Sequence, residues 1–502
     1  MISIAPPRSS KSWDWIHDKY RRPIHRFMNI IIGAGPAGLT AAYALATAGH
    51  RARIIERETE PGGLARTIWH NGYGFDIGGH RFYTKSPEIQ TIWREVLGAD
   101  FHSVQRLSRI YYDGKFFDYP LRPWNALAGL GPAASAAIVA SYIRRKLAPL
   151  PCEHNFEQFI TNRFGDRLYR TFFKTYTEKV WGMPCAEIQS DWAAQRIQDL
   201  SLASAIGNAF FKRSATSSRS LIDQFDYPRL GPGMLWQRMA DRISDAGSRI
   251  DYQQQVTAIQ HDGHGTVTRV LHQPLLFANT CSAVPQPTEA PVHELFSSMP
   301  LQALIQALQP HPPESVLAAA RALRYRDFLT VNLCMQGENP FPDQWIYIHS
   351  PQVRVGRIQN FRNWSRDLVP TPNSIGIGME YFCTAGDDLW TMPDDQLCGL
   401  ATDELRRLGL SGNLQLADAF VMRVKKAYPV YDADFASNIN TIKAWLTTVK
   451  NLHTIGRNGL HRYNNQDHSM LTALRAVDNV LRGTNNDLWQ INADTEYGEK
   501  PG

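Results

Sequence analysis

Cysteine is scarce in this chain and shows no pairing pattern. The 502 residues hold six (Cys152, Cys185, Cys281, Cys334, Cys383 and Cys398), and no two stand in a CxxC spacing. This argues against a disulfide framework or a zinc site, leaves no metal to assign, and fits a reducing, cytoplasmic setting. Long apolar runs are lacking as well. Residues 1–27 are polar and basic, without the apolar centre of a signal peptide. The longest apolar stretch, residues 126–143, contains Gly and Pro and stops at Arg144-Arg145-Lys146. A spanning helix needs about 20 apolar residues. The stretch is therefore expected to form a buried helix, with peripheral membrane contact the lesser alternative. Blocks of one charge sign are also missing. The net charge of +6 comes from scattered Lys and Arg, which speaks against nucleic acid and for a mildly basic enzyme that handles anions.

What is present begins at residue 28. Met28-Asn29-Ile30-Ile31-Ile32 is a β-branched run of the kind that forms a buried parallel strand. Gly33-Ala34-Gly35-Pro36-Ala37-Gly38 follows, then a helical run from Leu39 to Ala46, a stop at Gly49, and a second strand from Arg51 to Glu56. Each part has a physical task. Gly33 makes the tight turn, Gly35 lets the backbone approach a pyrophosphate, and Gly38 lets helix and strand pack closely. The helix N-terminus, at Pro36 and Ala37, offers N–H groups and a positive dipole end to that pyrophosphate. Glu56 stands where a carboxylate accepts ribose hydroxyls. Strand, glycines, helix, strand and acid in this order predict dinucleotide binding.

The next residues separate the dinucleotides. Glu56-Arg57 is followed by Pro61-Gly62-Gly63-Leu64-Ala65-Arg66-Thr67. This resembles the continuation seen in the large FAD family of amine oxidases, protoporphyrinogen oxidases, phytoene desaturases and UDP-galactopyranose mutases, where the glycines and the Arg wrap the FAD diphosphate. Residues 249–252 and 256–259 read as paired strands, and the resemblance places Val256 at the adenine end. Thr454-Ile455-Gly456-Arg457-Asn458-Gly459 precedes a helix starting near Asp467, a second Gly-rich approach to the cofactor.

Five sets of segments resemble the UDP-galactopyranose mutase branch in particular. Gly78-Gly79-His80-Arg81-Phe82-Tyr83-Thr84 is similar to the loop that lies against the isoalloxazine, which would place His80 near the flavin N5 atom. Gly114-Lys115-Phe116-Phe117-Asp118-Tyr119-Pro120-Leu121 looks like a pocket strand. Tyr176-Thr177-Glu178-Lys179-Val180-Trp181-Gly182 is similar to the segment whose Tyr and Trp form a uridine slot, and Arg196 follows as an Arg does on the mutase mobile loop. Tyr325-Arg326-Asp327 and Gly356-Arg357-Ile358 resemble the segments whose guanidinia clamp a substrate diphosphate, a task suited to the planar Arg fork. Tyr428-Pro429-Val430-Tyr431 and Tyr463-Asn464-Asn465-Gln466-Asp467-His468-Ser469 complete the set. The resemblance implies that Tyr428 and Tyr463 meet the sugar diphosphate, and that Asn465, Gln466, Asp467 and Ser469 lie at the flavin. The chain departs from the mutase pattern at Arg81, where an apolar residue is usual, and in residues 278–294, a Pro/Thr-rich stretch expected to be a loop.

The expected fold class is α/β. A discontinuous Rossmann-type FAD-binding domain (28–100, 241–300 and 451–502) would carry a mainly helical substrate domain (101–240) and a mixed or antiparallel β-sheet domain (301–450), after a flexible basic extension (1–27). The implied activity is pyranose–furanose interconversion of a nucleoside-diphosphate sugar, with reduced FAD as nucleophile and NAD(P)H among the candidate reductants. His80, Arg326 and Arg357 are the expected catalytic residues. The alternative is an FAD oxidoreductase taking hydride from a C–H bond. A non-catalytic flavoprotein, or an enzyme of a polyprenyl substrate at a membrane, is a third reading. Oligomeric state is open.

Overall fold

The computed structural model describes residues 28–119, 121, 123–190, 224–275 and 286–492. Two sheets organise them. The first is built on β1 (Met28–Ile32), α1 (Pro36–Thr47) and β2 (Ala52–Ile55). Pro36 at the first helical position suits a helix start, and Gly49 at φ +81° ends the helix with its N–H on Ala46 O at 2.9 Å. Arg249–Asp251, β2, β1, the C-terminal half of Thr288–Ser297, and Leu452–Thr454 pair side by side, all parallel. The N-terminal half of Thr288–Ser297 turns antiparallel onto Val267–Pro274, which pairs with Gln254–His261. The segments at 249–251 and 254–261 therefore do not pair with each other, contrary to the sequence reading. The first extends the parallel layer beyond β2, and the second starts a meander. The Pro/Thr-rich stretch is likewise not all loop, since Thr288–Ser297 is a ten-residue strand.

On one face of this sheet α1 packs against the helices Gly233–Asp245 and Gln466–Arg482 through Leu39, Ala42, Trp236, Met239, Met470 and Ala473. The other face is covered by the meander and the helices Leu301–Ala307, Glu314–Ala322 and Phe435–Leu446. The cofactor-type domain thus draws on three separate stretches of chain.

The second sheet has seven strands in the order Gln415–Pro429, Tyr325–Gln336, Ser374–Cys383, Arg357–Asn360, Trp345–Ile348, Ser108–Tyr112, Lys115–Asp118. All neighbours are antiparallel except Trp345–Ile348 with Ser108–Tyr112. Residues 108–118 therefore belong to this sheet and not to the helical lobe. Successive side chains on a strand face opposite ways. Ile346, Ile348, Ile358, Met379 and Tyr381 pack with Leu397, Ala401 and Leu405 of the covering helix Asp394–Arg407. Their alternates, Trp345, Tyr347, Arg357, Glu380 and Phe382, face the opposite side, where the site lies. The helices Pro123–Leu130, Pro132–Leu147, Phe156–Phe164 and Thr175–Trp181 form a separate helical lobe. Arg196 lies outside the described residues, as does the 1–27 extension.

Candidate active site

The glycines of the first turn do what their spacing requires. Gly33 stands at φ +96°, a backbone region that disfavours side chains, and a Cβ on Gly38 would collide with the Gly33 carbonyl oxygen. A Cβ on Gly63 would stand 3.2 Å from the Gly35 Cα, so these two bare backbones face each other across the entrance to α1. Gly456, at φ +78°, meets Ala37 in the same way at 2.7 Å. Three chain segments thus meet around one helix N-terminus. Leu64 lies in the short 3-10 turn Gly63–Ala65 beside it. Glu56 immediately follows β2, and its buried carboxylate accepts the Ala34 N–H at 2.5 Å and the Glu58 N–H at 2.7 Å. That holds it rigidly at the end of β2. Arg57 is exposed, 3.7 Å from Glu58, and Arg66 pairs with Glu58 and Glu60, each at 3.4 Å. Val256 lies in the meander opposite His272.

At the far end, Asn465 caps the Gln466–Arg482 helix in a reciprocal box with His468. Ser469 Oγ donates to the Asn465 carbonyl at 3.0 Å, and Asp467 is buried. Gln466 donates to the Arg81 carbonyl at 3.3 Å, tying this helix to the His80 loop. The side-chain oxygens of Ser297, Asn458 and Gln466 are buried without a partner. Buried polar atoms are normally satisfied. Orphaned oxygens beside a cradle of bare glycines and two helix N-termini fit a large polar cofactor of dinucleotide type.

The His80 loop is held close to the second sheet. A Cβ on Gly79 would enter the Trp345 ring, and Gly78 stands at φ +82°. His80 Nδ1 donates to the Gly78 carbonyl at 3.1 Å, leaving Nε2 as an acceptor. Burial pushes the His80 imidazole down to about 4, assisted by Arg457 and Arg357. The ring is therefore neutral near pH 7, and both guanidinia lie close enough to act on it.

Registry explains the rest. Tyr347, Arg357 and Glu380 stand opposite one another on three adjacent strands, and Arg326 pairs with Tyr428 on the far side. Arg357 contacts the Glu380 carboxylate at 2.5 Å and donates to the Tyr428 hydroxyl at 2.6 Å, with its guanidinium over the Phe382 and Trp345 rings. Burial opposes its charge, but Glu380 more than compensates and holds Arg357 firmly cationic. Its Nε–H is buried without a partner. Tyr428 stacks on Tyr463, and Arg457 sits 4.2 Å from the Tyr463 ring centre. The result is a ladder of cation, ring, ring and cation beside His80. Arg457 also donates to the carbonyls of Ala427 and Asn464.

Arg326 is placed differently. It donates to Thr384 at 2.5 Å and to the carbonyls of Phe382, Val180 and Lys179 at 3.1, 3.3 and 3.5 Å. Two of these carbonyls close the Thr175–Trp181 helix, so the cation meets the negative end of its dipole. Tyr176 on that helix stacks on His349 at 4.7 Å and meets Tyr347 edge-on, while Tyr119 stacks on Tyr347 at 4.2 Å. Trp181 is buried and meets Tyr431 edge-on. Lys179 donates to the carbonyls of Ser350 and Val355, a structural tie. Sequence reasoning missed Glu380, Trp345, Tyr347 and His349. A lone acid within the apolar run 374–383 and the alternation Trp-Ile-Tyr-Ile were the available signals.

The chain matches the family model for flavin-containing amine oxidoreductases over residues 36–431. It belongs to that family, which implies a flavin cofactor such as FAD. Within it, a reduced UDP-galactopyranose mutase structure superposes with a TM-score of 0.80 over 94% of this chain and 99% of that one, at 20% identity. A putative protoporphyrinogen oxidase from Exiguobacterium gives 0.67 over 91% and 99%, at 14% identity. Among curated proteins, a probable UDP-galactopyranose mutase of Klebsiella pneumoniae is 27% identical over 164 residues, 32% of this chain and 42% of that protein. A phytoene dehydrogenase of Streptomyces griseus is 24% identical over 296 residues, 52% of this chain and 54% of its own length. The chain thus spans about half the length of these curated relatives. The α/β architecture with a mixed second sheet is that of the mutase and the FAD amine oxidases.

Proposed function

We propose that the protein is an FAD-dependent enzyme that interconverts the pyranose and furanose forms of a nucleoside-diphosphate sugar, acting with the flavin reduced. The observation that carries this reading is the ladder Arg357–Tyr428–Tyr463–Arg457 beside the neutral His80. Two buried or half-buried cations interleaved with tyrosines next to a flavin-type loop suit a diphosphate leaving group better than an apolar or amine substrate. FAD, when bound in its reduced form, supplies the nucleophile. Gly33, Gly35, Pro36, Ala37, Gly38, Gly63, Leu64 and Gly456 would hold its diphosphate, Glu56 and Arg57 its ribose, and Val256 its adenine end. Gly78, Gly79, Asn465, Gln466, Asp467 and Ser469 would border the ring system. The chain's own groups position the sugar and the leaving diphosphate. The partnerless Arg357 Nε–H and the Tyr428 and Tyr463 hydroxyl edge would meet the phosphates, and Tyr176 and Trp181 would frame the uridine. His80 Nε2 would accept a hydrogen bond at the flavin.

One observation favours the second reading, net oxidation of a C–H bond. Arg357 is already matched by Glu380, and Arg326 is occupied by carbonyls. Titrating oxidised and reduced protein with UDP and UDP-galactopyranose, by flavin absorbance, separates the two. The mutase reading expects binding that Arg357→Ala weakens by about tenfold or more, the value of a lost charge-assisted contact, with FAD retained. Arg326→Ala should weaken it too, indirectly, by releasing the end of the Thr175–Trp181 helix that carries Tyr176. Loss of FAD in either variant would sink the clamp assignment.

A further inference from the structure

The Pro132–Leu147 helix carries an apolar stripe outward, besides the apolar residues that it buries. Ala136, Ala140, Ile143 and Leu147 follow a helical i, i+4, i+7, i+11 spacing and are all exposed. Leu147 is 82% exposed and Ile143 51%, the two highest values among the large apolar side chains of the described residues. The inward side is held by Ile138 and Tyr142, by Gly165, whose Cβ would press on the Tyr142 backbone, and by Arg145 paired with Asp166 at 2.8 Å. Single exposed apolar residues need no explanation, but an aligned stripe does.

The edges of the stripe are basic. At 100° per residue, Arg144 falls on one edge and Lys146 on the other, both are exposed, and neither makes an ion pair among the described residues. Arg167 and Arg170, exposed on the adjoining turn, and Lys174 extend the cationic surface. Residues 143–174 hold seven Lys and Arg against three Asp and Glu. Two of those acids are already matched, Glu153 by Arg163 and Asp166 by Arg145. No helix of the described residues is long and apolar enough to cross a membrane. An outward apolar stripe between snorkelling cations is the pattern of a helix lying in a membrane interface.

We propose that this face docks on an anionic lipid bilayer, with Ile143 and Leu147 entering the headgroup region and Arg144, Lys146, Arg167 and Arg170 meeting lipid phosphates. The charge pattern selects this occupant. A second copy of the same face would set these cations against their own kind, and an uncharged bilayer would leave them unmatched. Two large aliphatic side chains give weak anchoring by themselves. The binding is therefore cooperative between apolar insertion and charge, and depends on salt.

The test is flotation of the flavin-loaded protein with vesicles of phosphatidylcholine alone and of phosphatidylcholine with phosphatidylglycerol. The expected result is binding to the anionic vesicles only, lost at high salt. Ile143→Ser/Leu147→Ser and Arg144→Glu/Lys146→Glu should each reduce the bound fraction by about tenfold. Both pairs are exposed, so flavin content and thermal midpoint should stay unchanged and report intact folding. Equal binding to both vesicle types, no binding to either, or binding indifferent to both variants would overturn the proposal. So would self-association in lipid-free buffer that Ile143→Ser/Leu147→Ser abolishes, since that would assign the stripe to a second copy of the chain.

Discussion

The Arg357–Glu380 pair shows how a site residue can be structural and functional at once. Both groups are buried, and removing one partner of such a pair leaves an uncompensated charge. Glu380→Gln should therefore cost about 3–5 kcal/mol in urea unfolding, and Glu380→Gln/Arg357→Met should cost less than the single change. A neutral Glu380→Gln would mean that Arg357 finds its counter-charge elsewhere. A second buried acid, Asp76, accepts from Thr67 at 2.8 Å and from the Tyr227 hydroxyl, two residues before the Gly78 turn. Burial pushes its carboxyl up to about 7, and those two donors only partly counter the shift. Its folded value thus lies above its unfolded one. The favourable contribution is complete below the unfolded value and falls as pH rises from about 4 to about 7, where the unfolded chain gives up a proton that the folded one keeps. His80, His349 and His461 act in the opposite sense. Burial lowers them to about 4, 3 and 3, so they cost stability as pH falls below the ordinary imidazole range. Asp76→Asn should gain on the parent across pH 4–7, by roughly 4 kcal/mol at most, and remain level above it. A pH-independent difference in unfolding free energy would contradict this.

At the scale of elements, the first βαβ unit was the most legible part, because each glycine there answers a steric demand visible in the spacing. Gly38 and Gly49 separate cofactor binding from simple backbone strain. Gly38→Ala would drive a Cβ into the Gly33 carbonyl and should abolish the flavin absorbance of the purified protein. Gly49→Ala meets nothing within 4 Å and should cost only about 1 kcal/mol while the flavin stays bound. If both variants purify yellow, the turn does not govern the cofactor. Strand partners were far less legible. Residues 249–251 are close in sequence to 254–261 yet pair with β2, because a three-residue segment such as Arg249–Asp251 is too short to specify its neighbour. Arg326 likewise reads as a clamp in sequence, and only the fold shows that it closes the Thr175–Trp181 helix.

At the scale of the whole molecule, the three-part flavin-type domain was readable from motifs at both ends, since Gly-rich turns before helices carry their own signature. The wall of the site was not. Tyr347, Arg357 and Glu380 come from three strands, and their meeting depends on registry across a sheet, which one strand's sequence does not encode. Family membership and fold leave two chemistries for the same cradle, ring isomerisation and net oxidation, and a turnover experiment decides between them. The flavin-loaded protein is reduced anaerobically with dithionite, mixed with UDP-galactopyranose and other sugar nucleotides, and its products are separated by chromatography. The account predicts a new isomer of one sugar nucleotide, formed by the reduced protein alone, with the flavin still reduced at the end. No isomer from any sugar nucleotide, together with bleaching of the oxidised flavin by a C–H substrate, would contradict it.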